Sequence, residues 1–262
     1  MGESDKNTKF FHAQCSHRQQ KNMIQGLRDD MGVWHSDMSK MSKMAVNYFQ
    51  QIFTSSNPSE EALSTCLEGM EKVISDDMNA ALLAKFSVDE ISQALKQMYP
   101  TKAPGLDGML AIFYLTYWDI VGPEVSQAII SILHSGYMLR KINYINIAVI
   151  PKVKNPERII DFRPISLCNV IYKIVLKVLA NRLKVVLSLV IADSQTAFVP
   201  RRLITDNVLV VFEVMHSMSQ KRKGRRGQMA IKLDMSKAYD RVKWVLLKLS
   251  SMVWGLLRNG LN

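Results

Sequence analysis

The stretch VIYKIVLKVLANRLKVVLSLVIA, residues 170–192, sets the first limit on what this chain can fold into. It is long and apolar, yet Lys173, Lys177, Arg182 and Lys184 interrupt it. Four cations in one span are costly inside a bilayer. Its apolar residues return at Ile171, Ile174, Val175, Val178, Leu179, Leu183, Val186 and Val190, which is helical spacing. The stretch therefore predicts a long amphipathic helix with one face on a core. A chain of 262 residues can bury such a core, as one large domain or as one domain with a small helical companion.

Local signals place further elements around that helix. Residues 1–35 read as a loose polar leader with a short helix and a turn, and 36–53 as a helix. TSSNPSE is a linker by its Ser, Asn and Pro content, and helical patterns follow over 60–73 and 75–85. Ser87 with Glu90 three residues later is a capping box, and Phe86 can staple onto Ile91. That helix should run over 88–98 and stop at Pro100. Gly122-Pro123 predicts a helix start and Gly136 its end. YINIAVIPK, residues 144–152, is short and β-branched and reads as a strand, followed by a basic loop with Pro156 and Pro164. Residues 205–220 read as a helix, KRKGRRG as a basic turn, and 229–234 as a second strand.

Charge narrows the partner class. The net charge is +11, from 34 Lys and Arg against 23 Asp and Glu. Such a surplus suits a polyanion, although a solvated basic surface explains it equally well. Three cysteines, Cys15, Cys66 and Cys168, stand far apart and are odd in number, which argues for a reducing compartment and against a disulfide framework. His12, Cys15 and His17 lack a fourth ligand for structural zinc. The polar start MGESDKNTKF has no signal-peptide core, so the expected location is intracellular.

QMAIKLDMSKAYDRV carries the candidate chemistry. Asp234 ends the predicted strand, and Asp234 or Ser236 can simply cap a following helix. The functional alternative is a ligand for a hard cation such as Mg²⁺, which takes carboxylates and substrate phosphates. Tyr239 could then face a sugar and Lys237 a triphosphate. Upstream, Lys152, Lys154, Arg158 and Arg163 surround a strand and loop, where cations can hold phosphates, the arginines bidentately. Lys173, Lys177 and Lys184 follow one side of the long helix and read more simply as a solvated face.

KAPGLDG, IPKVKNPERIIDFRPISLCNVIYKIVLKVLANRLK, DSQTAFVPRRLITDNVLVVFEV and MAIKLDMSKAYDRV, in this order, resemble plant non-LTR (LINE-type) retrotransposon reverse transcriptases. DKNTKFFHAQCSHRQQKN resembles the segment between endonuclease and polymerase in those polyproteins. The resemblance implies an α+β fold: a helix-rich N-terminal segment, then the fingers and the first palm strand of a right-hand polymerase. It implies RNA-directed DNA synthesis with two Mg²⁺ ions, an RNA template, a DNA primer and dNTPs. Asp234 matches the first metal-binding aspartate, with the Met235 carbonyl near the same ion. Tyr239 matches the sugar gate, Lys237 lies near the triphosphate, and Lys152, Arg158 and Arg163 belong to the nucleotide site. Lys173, Lys177, Arg201 and Arg202 are the nucleic-acid contacts, and Asp240 is structural.

The resemblance assigns 1–60 to a linker segment, 61–99 to a helical region before the fingers, and 100–262 to a partial polymerase domain. The sequence departs from the family after Trp244, where no x-A-D-D motif follows and no Asp or Glu occurs beyond Asp240. One carboxylate positions two cations poorly, so the expectation is an incomplete domain without turnover of its own. The competing expectations are a basic RNA- or DNA-binding module or retroelement remnant, and a reading frame that continues into the missing motifs. A nuclear rather than cytoplasmic site follows from the family alone, and neither a membrane nor a protein partner is expected.

Overall fold

The computed structural model describes residues 9–197, 199, 201–220, 229–235 and 238–256. In chain order the elements are α1 (Lys9–Asn22), β1 (Leu27–Arg28), β2 (Trp34–His35), α2 (Met38–Phe53), α3 (Glu60–Leu67), α4 (Asp76–Leu82) and α5 (Val88–Lys96). Then come α6 (Ala111–Thr116), α7 (Trp118–Ser135), α8 (Arg140–Asn143), β3 (Asn146–Pro151), β4 (Phe162–Leu167), α9 (Val170–Val190), α10 (Ile204–Gln220) and α11 (Trp244–Val253). They form two compact units, each assembled from separate chain segments.

The first unit joins Met1–Ser55, Ala103–Gly108 and Tyr144–Asn169. Its core is small: Leu27, Met41 and Phe162 are buried, with Ile24, Met44, Val149 and Ile159 packed around them. β1 and β2 pair antiparallel, as do β3 and β4, the latter with Val149 opposite Pro164 and Ile150 opposite Arg163. Side chains alternate across a strand, so Val149 and Phe162 face this core while Ile150 and Arg163 face away. β4 corrects the loop expected around Pro164. A two-stranded ribbon has a free edge along each strand, where proline is tolerated. Ala103–Gly108 of the KAPGLDG loop also lie here, and an added Cβ at Gly105 would clash with Asn169, which explains that glycine.

The second unit joins Ser56–Lys102, Met109–Asn143 and Val170–Asn262. Its core brings Ile91, Ala94 and Leu95 of α5 and Ile129 of α7 against Val170, Ile174, Val175 and Val178 of α9. The long helix thus forms as its periodicity requires. The predicted capping box is present: Ser87 Oγ accepts from the Glu90 amide at 3.2 Å, and Glu90 Oε2 accepts from the Ser87 amide at 2.9 Å. Gly136 ends α7 at φ 68°. The helix begins earlier than Gly122-Pro123 predicts, at Trp118, and carries Pro123 inside it. α3 ends at Leu67 rather than near 73, with Gly69 at φ 79° just beyond it. α11 closes on this unit through backbone bonds, the Trp254 carbonyl accepting from the amides of Val73 and Ile74.

Arg182 of α9 is the main polar junction of the second unit. Its Nε and Nη2 donate to Glu90 Oε1 and Oε2 at 2.7 and 2.9 Å, a bidentate pair. The remaining donors reach the carbonyls of Leu82, Ala84 and Lys85, and the guanidinium stands 3.7 Å from the Phe86 ring centroid. The Arg182 guanidinium, more than any other group, holds the Glu90 carboxyl below the usual carboxylate range. A depressed folded value stabilises the fold above the unfolded value, and that contribution is lost as pH falls through the folded value. The stability gap between wild type and Glu90→Gln should therefore shrink as urea unfolding is repeated from pH 6 to well below about pH 4.3. A gap that stays constant over that range contradicts the linkage.

Candidate nucleotide and nucleic-acid site

Lys152, Arg158 and Arg163 all lie on the first unit, on or beside the β3–β4 ribbon. Ile150 faces Arg163 directly, and Lys152 stands two residues beyond Ile150. Lys152 therefore comes diagonally beside Arg163 on the outward face. All three cationic side chains are exposed. The Lys152 amide donates to the Asp161 carbonyl at 2.8 Å, and its Nζ donates to the Ile160 carbonyl at 3.0 Å. An ammonium has three donors, so two remain for a ligand.

The loop joining the strands is held by acids that sequence reading did not single out. Asp161 Oδ2 accepts from the amides of Arg158 and Glu157 at 2.9 and 3.2 Å. Glu157 pairs with Arg28 Nε at 2.6 Å, and Arg28 also lies over the Trp34 ring. Asp161 was findable as an acid three residues after Arg158 in a tight turn; the Arg28–Glu157 pair spans too much sequence to be seen. Both acids serve the loop itself. The Arg158 and Arg163 side chains are exposed, and a guanidinium fork there can meet an anion.

The other candidates lie on the second unit. Lys173 and Lys177 are half-buried on α9. Arg202 acts within the fold, where its guanidinium reaches the carbonyls of Ala192 and Gln195 and pairs with Asp193 Oδ1 at 3.1 Å. It closes the loop between α9 and α10, where Asn207 Nδ2 also donates to buried Thr196 Oγ1 at 2.8 Å. Arg201 is exposed at φ 67°, a left-handed backbone that costs a residue with a Cβ.

Asp234 is exposed, as is Met235. The strand predicted over 229–234 does not form: the segment pairs with no described strand. Met229, Ile231 and Leu233 are 79%, 68% and 91% exposed, so neither a ladder nor a covered face supports a strand there. Lys237 lies outside the described residues, as does the KRKGRRG turn. Tyr239 opens a short 3₁₀ turn, Tyr239–Arg241.

Among the described residues, no three or more His, Cys, Asp or Glu side chains gather where a metal ion could be held. Asp234 offers a hard carboxylate donor of the kind Mg²⁺ takes together with substrate phosphates and water. No described helix is long and apolar enough to cross a membrane.

Residues 150–248 match the reverse transcriptase (RNA-dependent DNA polymerase) family. That span holds the last two residues of β3, all of β4, α9 and α10, and Asp234. The chain is also similar to the transposon TX1 uncharacterized 149 kDa protein of Xenopus laevis, with 30% identity over 238 residues. The similarity covers 91% of this chain but only 18% of that relative, so the chain spans less than a fifth of the relative's length.

Proposed function

We propose that this chain is the fingers and the beginning of the palm of an RNA-directed DNA polymerase from a LINE-type retrotransposon, of the kind found in plants. The observation that carries the reading is the pair Lys152 and Arg163, both inside the matched span and on one outward face of the β3–β4 ribbon. A lysine point charge beside an arginine fork suits a nucleoside triphosphate. On this reading Arg158 adds to the same site, and Lys173, Lys177, Arg201 and Arg202 follow the template or primer. Asp234 and the Met235 carbonyl are ligands of a catalytic Mg²⁺, Tyr239 excludes a ribose 2′-OH, and Lys237 meets the triphosphate. Residues 1–60 and 61–99 precede the polymerase domain proper, and a nuclear location fits a chromosomal target.

Phosphoryl transfer depends on positioned metal charge, and Asp234 alone does not supply it. The 262-residue polypeptide should therefore incorporate no dTTP on a poly(rA)–oligo(dT) substrate with Mg²⁺. It should still bind a fluorescent dNTP, about tenfold more weakly in Arg163→Ala, the loss of one bidentate charged contact. Primer extension by this polypeptide refutes the inactive reading; dNTP binding indifferent to Arg163 and Lys152 refutes the polymerase reading.

Asp234 is exposed and, among the described residues, joins no cluster of three metal-binding side chains, which favours a second reading, a basic module that binds RNA or DNA without chemistry. It predicts affinity that falls steeply with salt, with no dNTP preference.

A further inference from the structure

A groove of about 510 Å³ runs along α9 at the C-terminal end of α5, entirely within the second unit. Lys102, Lys173 and Lys177 line it, and no acidic side chain does. Tyr99 stands on its wall with 65% of its surface exposed, and Leu176 and Met98 give it an apolar lining. Tyr99 belongs to no motif singled out in the sequence, Lys102 opens the KAPGLDG motif, and both are exposed.

We propose that this groove is a track for one strand of nucleic acid, with a base stacked on Tyr99 and the adjoining phosphates held by Lys102, Lys173 and Lys177. Three features select that ligand. Lysines four apart on a helix have Cβ atoms about 5–6 Å apart, so Lys173 and Lys177 form a short row of charge rather than a single anion pocket. An open groove with an aromatic wall and a cationic edge is the arrangement that holds single strands, because every base has a face to stack. A duplex hides its base faces, so the Tyr99 ring gives it nothing. The proposal rests on the polymerase reading only for the class of polyanion. It uses none of Asp234, Lys152 and Arg163.

The decisive measurement is anisotropy of a labelled U20 RNA and a dT20 DNA with the whole chain, over a range of salt. Tyr99→Ala should weaken binding about tenfold with the salt slope unchanged, and Tyr99→Phe should restore it. Lys102→Ala/Lys173→Ala/Lys177→Ala should reduce the slope of log K against log salt by about 2, since each single-strand phosphate contact carries about 0.7. Lys184→Ala, on an exposed position of the same helix, should cost no more than one such contact at low salt. Far-ultraviolet circular dichroism confirms that each variant folds, and Lys102→Ala alone, which leaves α9 untouched, replaces the triple variant if it does not. Wild-type affinity in Tyr99→Ala overturns the proposal, as does equal affinity for a duplex of the same length or for an oligoglutamate peptide. Binding lost in Lys152→Ala/Arg163→Ala but kept in the groove variants overturns the groove and leaves the polymerase reading standing. Binding lost in the groove variants while dNTP binding ignores Lys152 and Arg163 does the reverse.

Discussion

Arg182→Ala should lower the stability of the second unit by about 3 kcal/mol, the lower end of the cost of removing one partner from a buried ion pair. The lower end applies because the side chains are not fully dry: 12% of the Arg182 side chain and 33% of that of Glu90 are exposed. Three contributions are removed together. Glu90 loses its bidentate partner, the carbonyls of Leu82, Ala84 and Lys85 lose a donor each, and the Phe86 ring loses the cation over its face. Arg182→Lys should recover less than half, because an ammonium cannot bind both carboxylate oxygens in a fork or spread over three carbonyls. Urea unfolding measures both. A double-mutant cycle with Glu90→Gln should give a coupling of about 1–3 kcal/mol, the range for residues in one network. Additive effects within about 0.5 kcal/mol would show that the pair does not act as one unit.

The same residue shows what sequence reading reaches. In the chain Arg182 is a charge interrupting an apolar stretch, and its use depends on Leu82 through Glu90, which lie far away in sequence. The Ser87–Glu90 capping box was legible because both partners sit within one turn. So was α9, whose core face is written in its own period, and α7's end at Gly136, which a local left-handed turn requires. β4 was hidden because Pro164 is a strand breaker everywhere except along a free edge, and edges are tertiary facts. Met229 to Asp234 had the composition of a strand, but a strand exists only through its neighbours. Gly122-Pro123 imitated a helix start that the chain places four residues earlier. The candidate site divides in the same way. The cations around 152–163 stood out by density, and the four ordered motifs pointed to the polymerase family that 150–248 matches. That Lys152 and Arg163 share a face needed the register of a ribbon whose second strand was not visible.

Phe162→Ala should open the first unit and leave the second intact. Phe162 is 1% exposed, and only Leu27 and Met41 share its full burial in that core. Truncating a buried phenylalanine costs about 3–5 kcal/mol, through lost transfer energy and the cavity left behind. A core of three buried side chains has few neighbours that can relax into such a cavity, so the upper half of that range is expected. Phe162→Leu, which retains most of the volume, should cost under about 1.5 kcal/mol. Hydrogen exchange distinguishes a local from a global effect. Amides of the β3–β4 ladder should lose protection in Phe162→Ala, while those of α5 and α9 retain it. Equal loss in both units would mean that they unfold as one. The functional consequence follows from the alternation along the strand: Phe162 faces the core, and its neighbour Arg163 faces out opposite Ile150. Phe162→Ala removes no charge, yet it frees the ribbon that sets Lys152 beside Arg163. Binding of a fluorescent dNTP should fall with it at least as far as in Arg163→Ala. Recovery in Phe162→Leu would then assign the loss to the ribbon's seating rather than to chemistry at the bound phosphate.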